Sequence, residues 1–307
     1  MTLRAVKPET MQKRLKLFTF SEPGVGKTTG AIQFPQAYII DMEKGTENYS
    51  ATIAKSGSVV YQTTNPNDVR AEVKELLTQK HPYRTLIIDP ITIYYGALQE
   101  KWNMIFAKAA GSSGKSSETI EMQDWGFRYW AKIKSEYKSL MRMILALDMN
   151  VIITAHQKDT YGAGMQRIGV GPDSMKGDSH VFDYVFQLSN PSGKIDGKRL
   201  ARTIKERAEI GAPKFPDEFE WSYANFCKYY GKEVLERESK PMALATKEQL
   251  DEIQHLLETV KIDEATINTW LTKADVDEWS EMTFDTLQKC IDFLKKKIEP
   301  TKEKASV

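Results

Sequence analysis

Residues 15–29 read LKLFTFSEPGVGKTT, and this stretch decides the fold. Residues 15–20 are a short run rich in apolar and aromatic side chains, the composition of a buried strand. Ser21-Glu22-Pro23-Gly24-Val25-Gly26-Lys27-Thr28 follows at once and matches the phosphate-loop pattern G-x-x-x-x-G-K-[ST], with Ser21 in the first glycine's place. Glycines let backbone N–H groups turn inward around phosphate oxygens, and a helix opening near Gly26 or Lys27 would offer its N-terminus to the same anion. Glu22, Pro23, Gly24, Val25, Gly26, Lys27, Thr28 and Thr29 are therefore the expected nucleotide-binding residues. Lys27 is expected to reach the β- and γ-phosphates, and Thr28 to give a hydroxyl to Mg2+. Ser21 constrains the turn without removing the inward N–H groups.

Outward from the loop, short apolar runs alternate with helical spacing. Residues 37–40 (AYII), 85–88 (TLII) and 151–155 (VIITA) read as further buried strands. Val69, Val73, Leu76 and Leu77 mark one helix over 68–79, and Tyr129, Ile133, Tyr137, Leu140, Met141 and Ile144 mark a longer one. This alternation predicts an α/β fold: a mostly parallel sheet flanked by helices. Residues 184–189 and 199–206 flank a PSGKIDGK turn and read as a β-hairpin, with Asp196-Gly197 near its tip, and residues 218–223 offer one more strand. Residues 109–118 (AAGSSGKSSE) and 158–179, which hold five glycines, read as loops.

The strand ends carry the candidate chemistry. Asp89 closes LIID and is placed to hold Mg2+ with Thr28. Glu43, in IIDMEKG, reads either as the carboxylate that positions an attacking water or as a solvated loop glutamate, and spacing does not choose. His156 and Gln157, in TAHQ, read as a γ-phosphate sensor, with a satisfied, partly buried histidine as the equal alternative. Lys27, Glu43, His156 and Gln157 together form the candidate catalytic set. In loop 158–179, Lys158, Tyr161, Arg167 and Lys176 could follow a nucleic-acid backbone, the aromatic ring stacking on bases. A loop of that length is more often functional than idle. Lys205 and Arg207 read either as cations acting across a subunit interface or as exposed hairpin cations paired with Glu206 and Glu209; sequence favours the latter.

The net charge of +1 hides an asymmetry. Residues 244–307 hold 9 Lys/Arg against 14 Asp/Glu, a net of −5, which leaves +6 on residues 1–243. A mildly basic body suits a polyanion, and an acidic tail unit suits protein. Thr246 with Gln249 predicts a capping box ahead of Leu250, Ile253, Leu257 and Val260. Asp263 and Thr283 are expected caps for two further helices, which bury Ile267, Trp270 and Leu271, then Leu287, Ile291 and Leu294. The expected organisation is an ATPase core over 1–235, a linker over 236–243, a small all-α unit over 244–300 that meets protein partners, and a disordered tail over 301–307. Cys227 and Cys290 fit no disulfide or metal motif. No apolar run spans a bilayer and no signal segment opens the chain, so a cytoplasmic protein without membrane contact is expected.

Taken together, FSEPGVGKTT, AYIIDMEKG, TLIIDPIT and VIITAHQ resemble the core of RecA-type ATPases, and look closest to phage nucleotide-binding proteins of the Sak single-strand annealing group. The resemblance spans about residues 14–225. It implies a RecA-like sheet ending in the C-terminal β-hairpin, with ATP and Mg2+ as ligands. It further implies Glu43 as catalytic glutamate, His156 and Gln157 as γ-phosphate sensor, 158–179 as the second DNA-binding loop, and the region after Asp89, including 109–118, as the first. Lys205 and Arg207 fall near where relatives place trans-acting cations. The function so implied is ATP-dependent single-stranded DNA binding, annealing and recombination by a homo-oligomer in the cytoplasm of a bacterial host. A nucleotide-gated adaptor, recruiting a single-strand-binding or other recombination protein through the helical unit, is the alternative.

Overall fold

The computed structural model describes residues 13–112, 124–194, 197–208, 214–274 and 276–298. Strand β1 (Lys16–Ser21) runs into the phosphate loop, and helix α1 (Lys27–Ala31) follows it. Then come β2 (Ala37–Asp41), α2 (Ser50–Lys55), β3 (Val59–Gln62), α3 (Pro66–Thr78), β4 (Thr85–Asp89), α4 (Ile91–Ser112) and α5 (Asp124–Ala146). Strand β5 (Asn150–Tyr161) turns back as β6 (Arg167–Pro172). A short α6 (Asp178–Val181) leads to β7 (Tyr184–Ser189), β8 (Leu200–Glu206) and β9 (Glu218–Glu220).

The sheet order is β3-β2-β4-β5-β1-β7-β8-β9, with β6 paired to β5 alone. Pairings from β3 through to β7 are parallel, while β7–β8, β8–β9 and β5–β6 are antiparallel. This is the α/β class expected, with the predicted hairpin present as β7 and β8, and β9 beyond it at the edge.

Alternation along the strands builds two cores. Phe18, Phe20, Ile40, Leu86, Ile88, Val151 and Ile153 face α3, α4 and α5. Leu17, Ile39, Ile87 and Ile152 face the other way, onto Ile32, Phe34, Ile53 and a cluster from Phe215, Phe219, Trp221 and Phe226. A strand buried on both faces reads as a continuous apolar run, which is why the sequence made it visible. Helix α3 starts where Asn65 accepts from the backbone N–H of Asn67, with proline at its first turn, and buries Val69, Val73, Leu76 and Leu77.

Three features depart from expectation. Strand β3 was not foreseen: it is four residues at the sheet edge, with Val59 and Val60 both more than a third exposed, so no buried run marks it. Helix α4 continues through Ser112, into the segment expected to be loop. Ala109 is a strong helix former, and Gly111 does not interrupt the helix there. The remainder of that segment, 113–118, lies outside the described residues, as do Asp196, Glu209 and the tail 301–307. Finally, 158–179 is not a loop but mostly a β-ribbon, β5 extending to Tyr161 and pairing with β6.

Beyond β9, α7 (Tyr223–Phe226) and α8 (Lys232–Leu235) close the second core. Helices α9 (Lys247–Val260), α10 (Glu264–Ala274) and α11 (Phe284–Ile298) form a third core around Ile253, Leu256, Met282, Leu287, Ile291 and Leu294. The capping box at Thr246 and Gln249 is present, and Asp263 and Thr283 accept from the backbone N–H groups of Thr266 and Thr286. Trp270 and Leu271 are only partly buried against this core, and α10 buries no residue fully. The segment before it is extended but anchored: Met242 N donates to Leu77 O at 2.7 Å, Ser239 Oγ to Tyr83 O at 2.6 Å, and Lys240 N to Asp148 Oδ2 at 3.1 Å. Among the described residues no helix is long and apolar enough to cross a membrane.

Candidate functional site

The C-terminal ends of β1, β2, β4 and β5 bring the predicted residues to one edge of the sheet. Parallel pairing sets this directly, aligning Ser21 with His156 and Asp41 with Asp89. In open parallel sheets this edge is where ligands bind. Left-handed backbone appears at Gly24 (φ 74°) and Gly26 (φ 105°) but not at Ser21, so the loop's first position needs no glycine. Ser21 completes β1, buried, with its hydroxyl donating to Glu22 O at 2.9 Å. Glu22, Pro23 and Gly24 form the exposed crest, with Val25 and Thr29 half-buried behind them.

Lys27 is buried and folds over its own loop, its ammonium donating to Ser21 O and Glu22 O at 3.3 Å each and to Ser21 Oγ at 3.4 Å. Burial lowers its pKa, opposed by the charges of Asp89 and Glu43. Arg199, immediately before β8, lies against the loop from the other side. A side chain on Gly26 would begin 2.4 Å from Arg199 Nε. Gly30 meets Trp221 in the same way: a Cβ there would sit 1.7 Å from the indole nitrogen, so the chain must be bare at that turn.

Asp89 is the buried acid of the site. Thr28 Oγ1 donates to its Oδ2 at 2.5 Å, and Thr154 Oγ1 donates to its Oδ1. Burial raises its pKa, against both hydroxyls and the Lys27 charge, which pull it down. A hydroxyl and a carboxylate in contact suit a Mg2+ ion that keeps waters and takes phosphate oxygens, rather than an all-protein cage. Among the described residues no cluster of three or more His, Cys, Asp or Glu side chains able to hold a metal occurs.

Asp41 shapes the loop that carries Glu43. Its Oδ1 accepts from Glu43 N at 3.1 Å and Gly45 N at 3.2 Å, and its Oδ2 from Thr46 N at 3.0 Å and Thr46 Oγ1 at 2.5 Å. Held this way, Glu43 Oε1 lies 2.8 Å from His156 Nε2. The contact joins two residues that sequence could place only separately. Gln157 Nε2 donates to Glu22 Oε1 at 3.4 Å, and Gln157 Oε1 accepts from Gln187 Nε2 at 3.0 Å, which ties the loop crest to β5 and β7.

Strand β5 continues from this site into the ribbon. Thr92 Oγ1 accepts from His156 N at 2.9 Å and donates to Asp173 O at 2.7 Å, and Asp173 N returns to His156 O at 2.7 Å. The base of the ribbon is thus fastened to the residue beside Glu43. Along it, Lys158 pairs with Asp173 and Arg167 with Asp159, each at 2.8 Å, while Tyr161, Met165 and Ile168 are exposed, at 56%, 82% and 68%. Such surface pairs are weak and exchange readily. Lys176 is exposed beyond β6.

Lys205 and Arg207 lie at the opposite sheet edge, since β8 runs antiparallel to β7. Lys205 donates to the carbonyls of Ser179, His180 and Phe182 at 2.9, 2.9 and 2.6 Å, and Arg207 pairs with Asp183 at 3.1 Å. Both have partners within the chain, Lys205 in backbone carbonyls and Arg207 in the carboxylate of Asp183. Sequence reasoning passed over four residues: Asp41, Thr92, Thr154 and Arg199. Asp41, Thr92 and Thr154 sat inside quoted motifs, and a search for polar side chains at aligned strand ends would have found Asp41 and Thr154. Arg199 left no local signal.

The chain matches the AAA domain family over residues 13–189, more than half of its length. Among solved structures, it is similar to the KaiC-like protein PH0186 of the hyperthermophilic archaeon Pyrococcus horikoshii OT3, at 15% identity and a TM-score of 0.35, covering 66% of this chain and 83% of that one. Comparison with curated proteins finds no match. The family match spans the phosphate loop, Asp41, Glu43, Asp89 and His156: this chain belongs to the AAA domain family, and residues 13–189 are its P-loop ATPase core.

Proposed function

We propose that this protein is an ATP-hydrolysing switch that binds single-stranded DNA through the β5–β6 ribbon and promotes annealing and recombination. The observation that carries the reading is the continuity of β5, which holds Thr154 and His156 at the nucleotide edge and then projects Tyr161, paired with Arg167 of β6, on an exposed, partly apolar ribbon. In this reading Lys27 and the loop backbone hold the β- and γ-phosphates, and Thr28 and Asp89 hold Mg2+, which supplies charge neutralisation at the phosphates. Glu43 orients the attacking water, and His156, touching Glu43, passes the state of the γ-phosphate to Thr92 and Asp173 at the ribbon's base. The cations of the ribbon follow the DNA backbone, and Tyr161 stacks on bases. Grouping with phage annealing proteins of the Sak type, and a homo-oligomer with ATP near subunit interfaces, belong to the same proposal.

The test is ATP turnover with and without single-stranded DNA for wild type, Lys27→Ala and Glu43→Gln. DNA-stimulated turnover that both substitutions abolish is expected, with Glu43→Gln still binding ATP. DNA binding should fall steeply with added salt, because phosphate contacts release counterions. Absent or salt-insensitive DNA binding in the presence of ATP and Mg2+ would sink the DNA reading. A second reading is favoured by the separate core of α9, α10 and α11 and its acidic composition: a nucleotide-gated adaptor whose residues 244–300 recruit a replication or recombination protein. Removal of 244–307 separates the two, since DNA binding that survives the deletion resides in the core.

A further inference from the structure

The residue left over by the reading above is Arg199. It comes from no recognised motif, yet its side chain packs on Gly26, the glycine just before Lys27. A Cβ on Gly26 would lie 2.4 Å from Arg199 Nε, 2.7 Å from Cδ and 3.1 Å from Cγ. Its position is built in. Arg199 O accepts from Trp221 N at 2.8 Å, and Arg199 Nη1 donates to Gly197 O at 3.0 Å. Trp221 in turn lies flush on Gly30 of α1. Arg199 and Trp221, flanking the β8–β9 pair, thus clasp the phosphate loop and the helix behind it.

Sheet order fixes which part of a nucleotide Arg199 would meet. β1 has β5 on one side and β7 on the other, with β8 beyond β7. Asp89, Thr154, His156 and Glu43 come from the β5, β4 and β2 side, so the γ-phosphate and its water belong there. A nucleotide with its β-phosphate in the loop then points its α-phosphate and ribose towards β7 and β8, where Arg199 stands. A guanidinium is always charged and presents a planar fork of donors that matches phosphate oxygens.

We infer that Arg199 is a nucleotide-binding residue acting within its own chain, its guanidinium engaging the α-phosphate and ribose end of a bound nucleoside di- or triphosphate. The inference rests on the P-loop being the nucleotide site. It separates two halves of that site: the β2, β4 and β5 side reads the γ-phosphate, and the β8 side grips the part that ADP and ATP share.

The experiment is a titration of the full chain with Mg–ADP and with a non-hydrolysable Mg–ATP analogue, for wild type, Lys27→Ala, Arg199→Ala and Arg199→Lys. Loss of a charge-assisted contact predicts weakening of roughly 10- to 100-fold. Arg199→Ala should lose that factor equally for both nucleotides, with its thermal midpoint close to wild type. Arg199→Lys, which keeps the charge but not the fork, should recover part of it. Wild-type affinity in Arg199→Ala, while Lys27→Ala is impaired, overturns the inference and leaves the P-loop reading standing. Tighter binding in Arg199→Ala would show a lid instead of a ligand and also overturns it. A loss confined to the triphosphate analogue overturns the assignment to the α-phosphate end. Failure of the wild type to bind either nucleotide overturns both.

Discussion

Single residues decide how much of this site had to be glycine and how much had to be charged. Ser21 works because the first position of the loop stays in extended backbone, whereas Gly26, at φ 105° and under Arg199, has neither the conformation nor the room for a side chain. Asp41 spends both carboxylate oxygens on the backbone and hydroxyl of the loop it precedes, which converts a flexible turn into a mount for Glu43. Asp178 is a different case, a carboxylate placed where charge is costly. It opens α6, buried, with the hydroxyl of Tyr137 donating to it at 2.5 Å. Burial pushes its pKa up from 3.8 to about 6, against hydrogen bonds from Tyr137 and Ser174. The native protein therefore keeps a proton that the unfolded chain has released between these two values, and stability falls as pH rises through that window. Above it the whole penalty is present, roughly 3 kcal/mol at about 1.4 kcal/mol per unit. Asp178→Asn removes the charge and keeps an acceptor for Tyr137. It should raise the urea midpoint at pH 8 and lose that advantage by pH 4; equal gains at both pH values would show that charge is not the cause.

Elements carry the coupling between nucleotide and ribbon. The turn of the β5–β6 ribbon is closed by Gly162 N donating to Gln166 O at 2.8 Å, and Tyr161 pairs with Arg167 across it. Replacing residues 162–166 by Asn-Gly, the favoured two-residue hairpin connection, would shorten the ribbon and keep that pairing. Basal ATP turnover should stay within about twofold, since no site residue changes, while DNA stimulation falls at least about tenfold if the tip contacts DNA. Full stimulation in the shortened protein would exclude the tip and leave the DNA contact to Lys158, Tyr161 and Arg167 on the strands. The ribbon also shows what sequence could and could not disclose. The four central strands were legible because burial on both faces leaves unbroken apolar runs, and the phosphate loop because its chemistry restricts residue types. The ribbon was hidden because Gly162, Gly164, Gly169 and Gly171 mimic a loop, although two of them sit in β6 opposite Thr160 and Lys158. Pairings such as Glu43 with His156, or Arg199 with Gly26, depend on strand order, which no local pattern encodes.

At the scale of the whole molecule, the charge asymmetry of the sequence becomes a contact. The acidic C-terminal unit docks on α3 and α5 through Glu281 and Asp277. Glu281 meets Arg70 at 3.3 Å, Ser139 at 2.7 Å and Arg142 at 3.8 Å, and Asp277 meets Arg142 at 2.7 Å. Glu281 is only 13% exposed, so these contacts are screened less than ordinary surface pairs. Beside them Met242 and Leu244 pack against the first core, and Met242 N binds Leu77 O, which straps the connecting segment in place. Both forces hold the unit, and they respond differently to salt: ion pairs weaken, and apolar packing does not. Glu281→Ala leaves Arg70 and Arg142 facing each other without their shared acid, a loss of about 1–3 kcal/mol in docking. Limited proteolysis within 236–243 should then run several-fold faster than in the wild type at moderate salt, and wild type at about 1 M NaCl, where the Debye length is near 3 Å, should approach the variant. If neither substitution nor salt changes the cleavage rate, the strap alone fixes the unit, and the opposite charges of the two halves serve partners outside this chain.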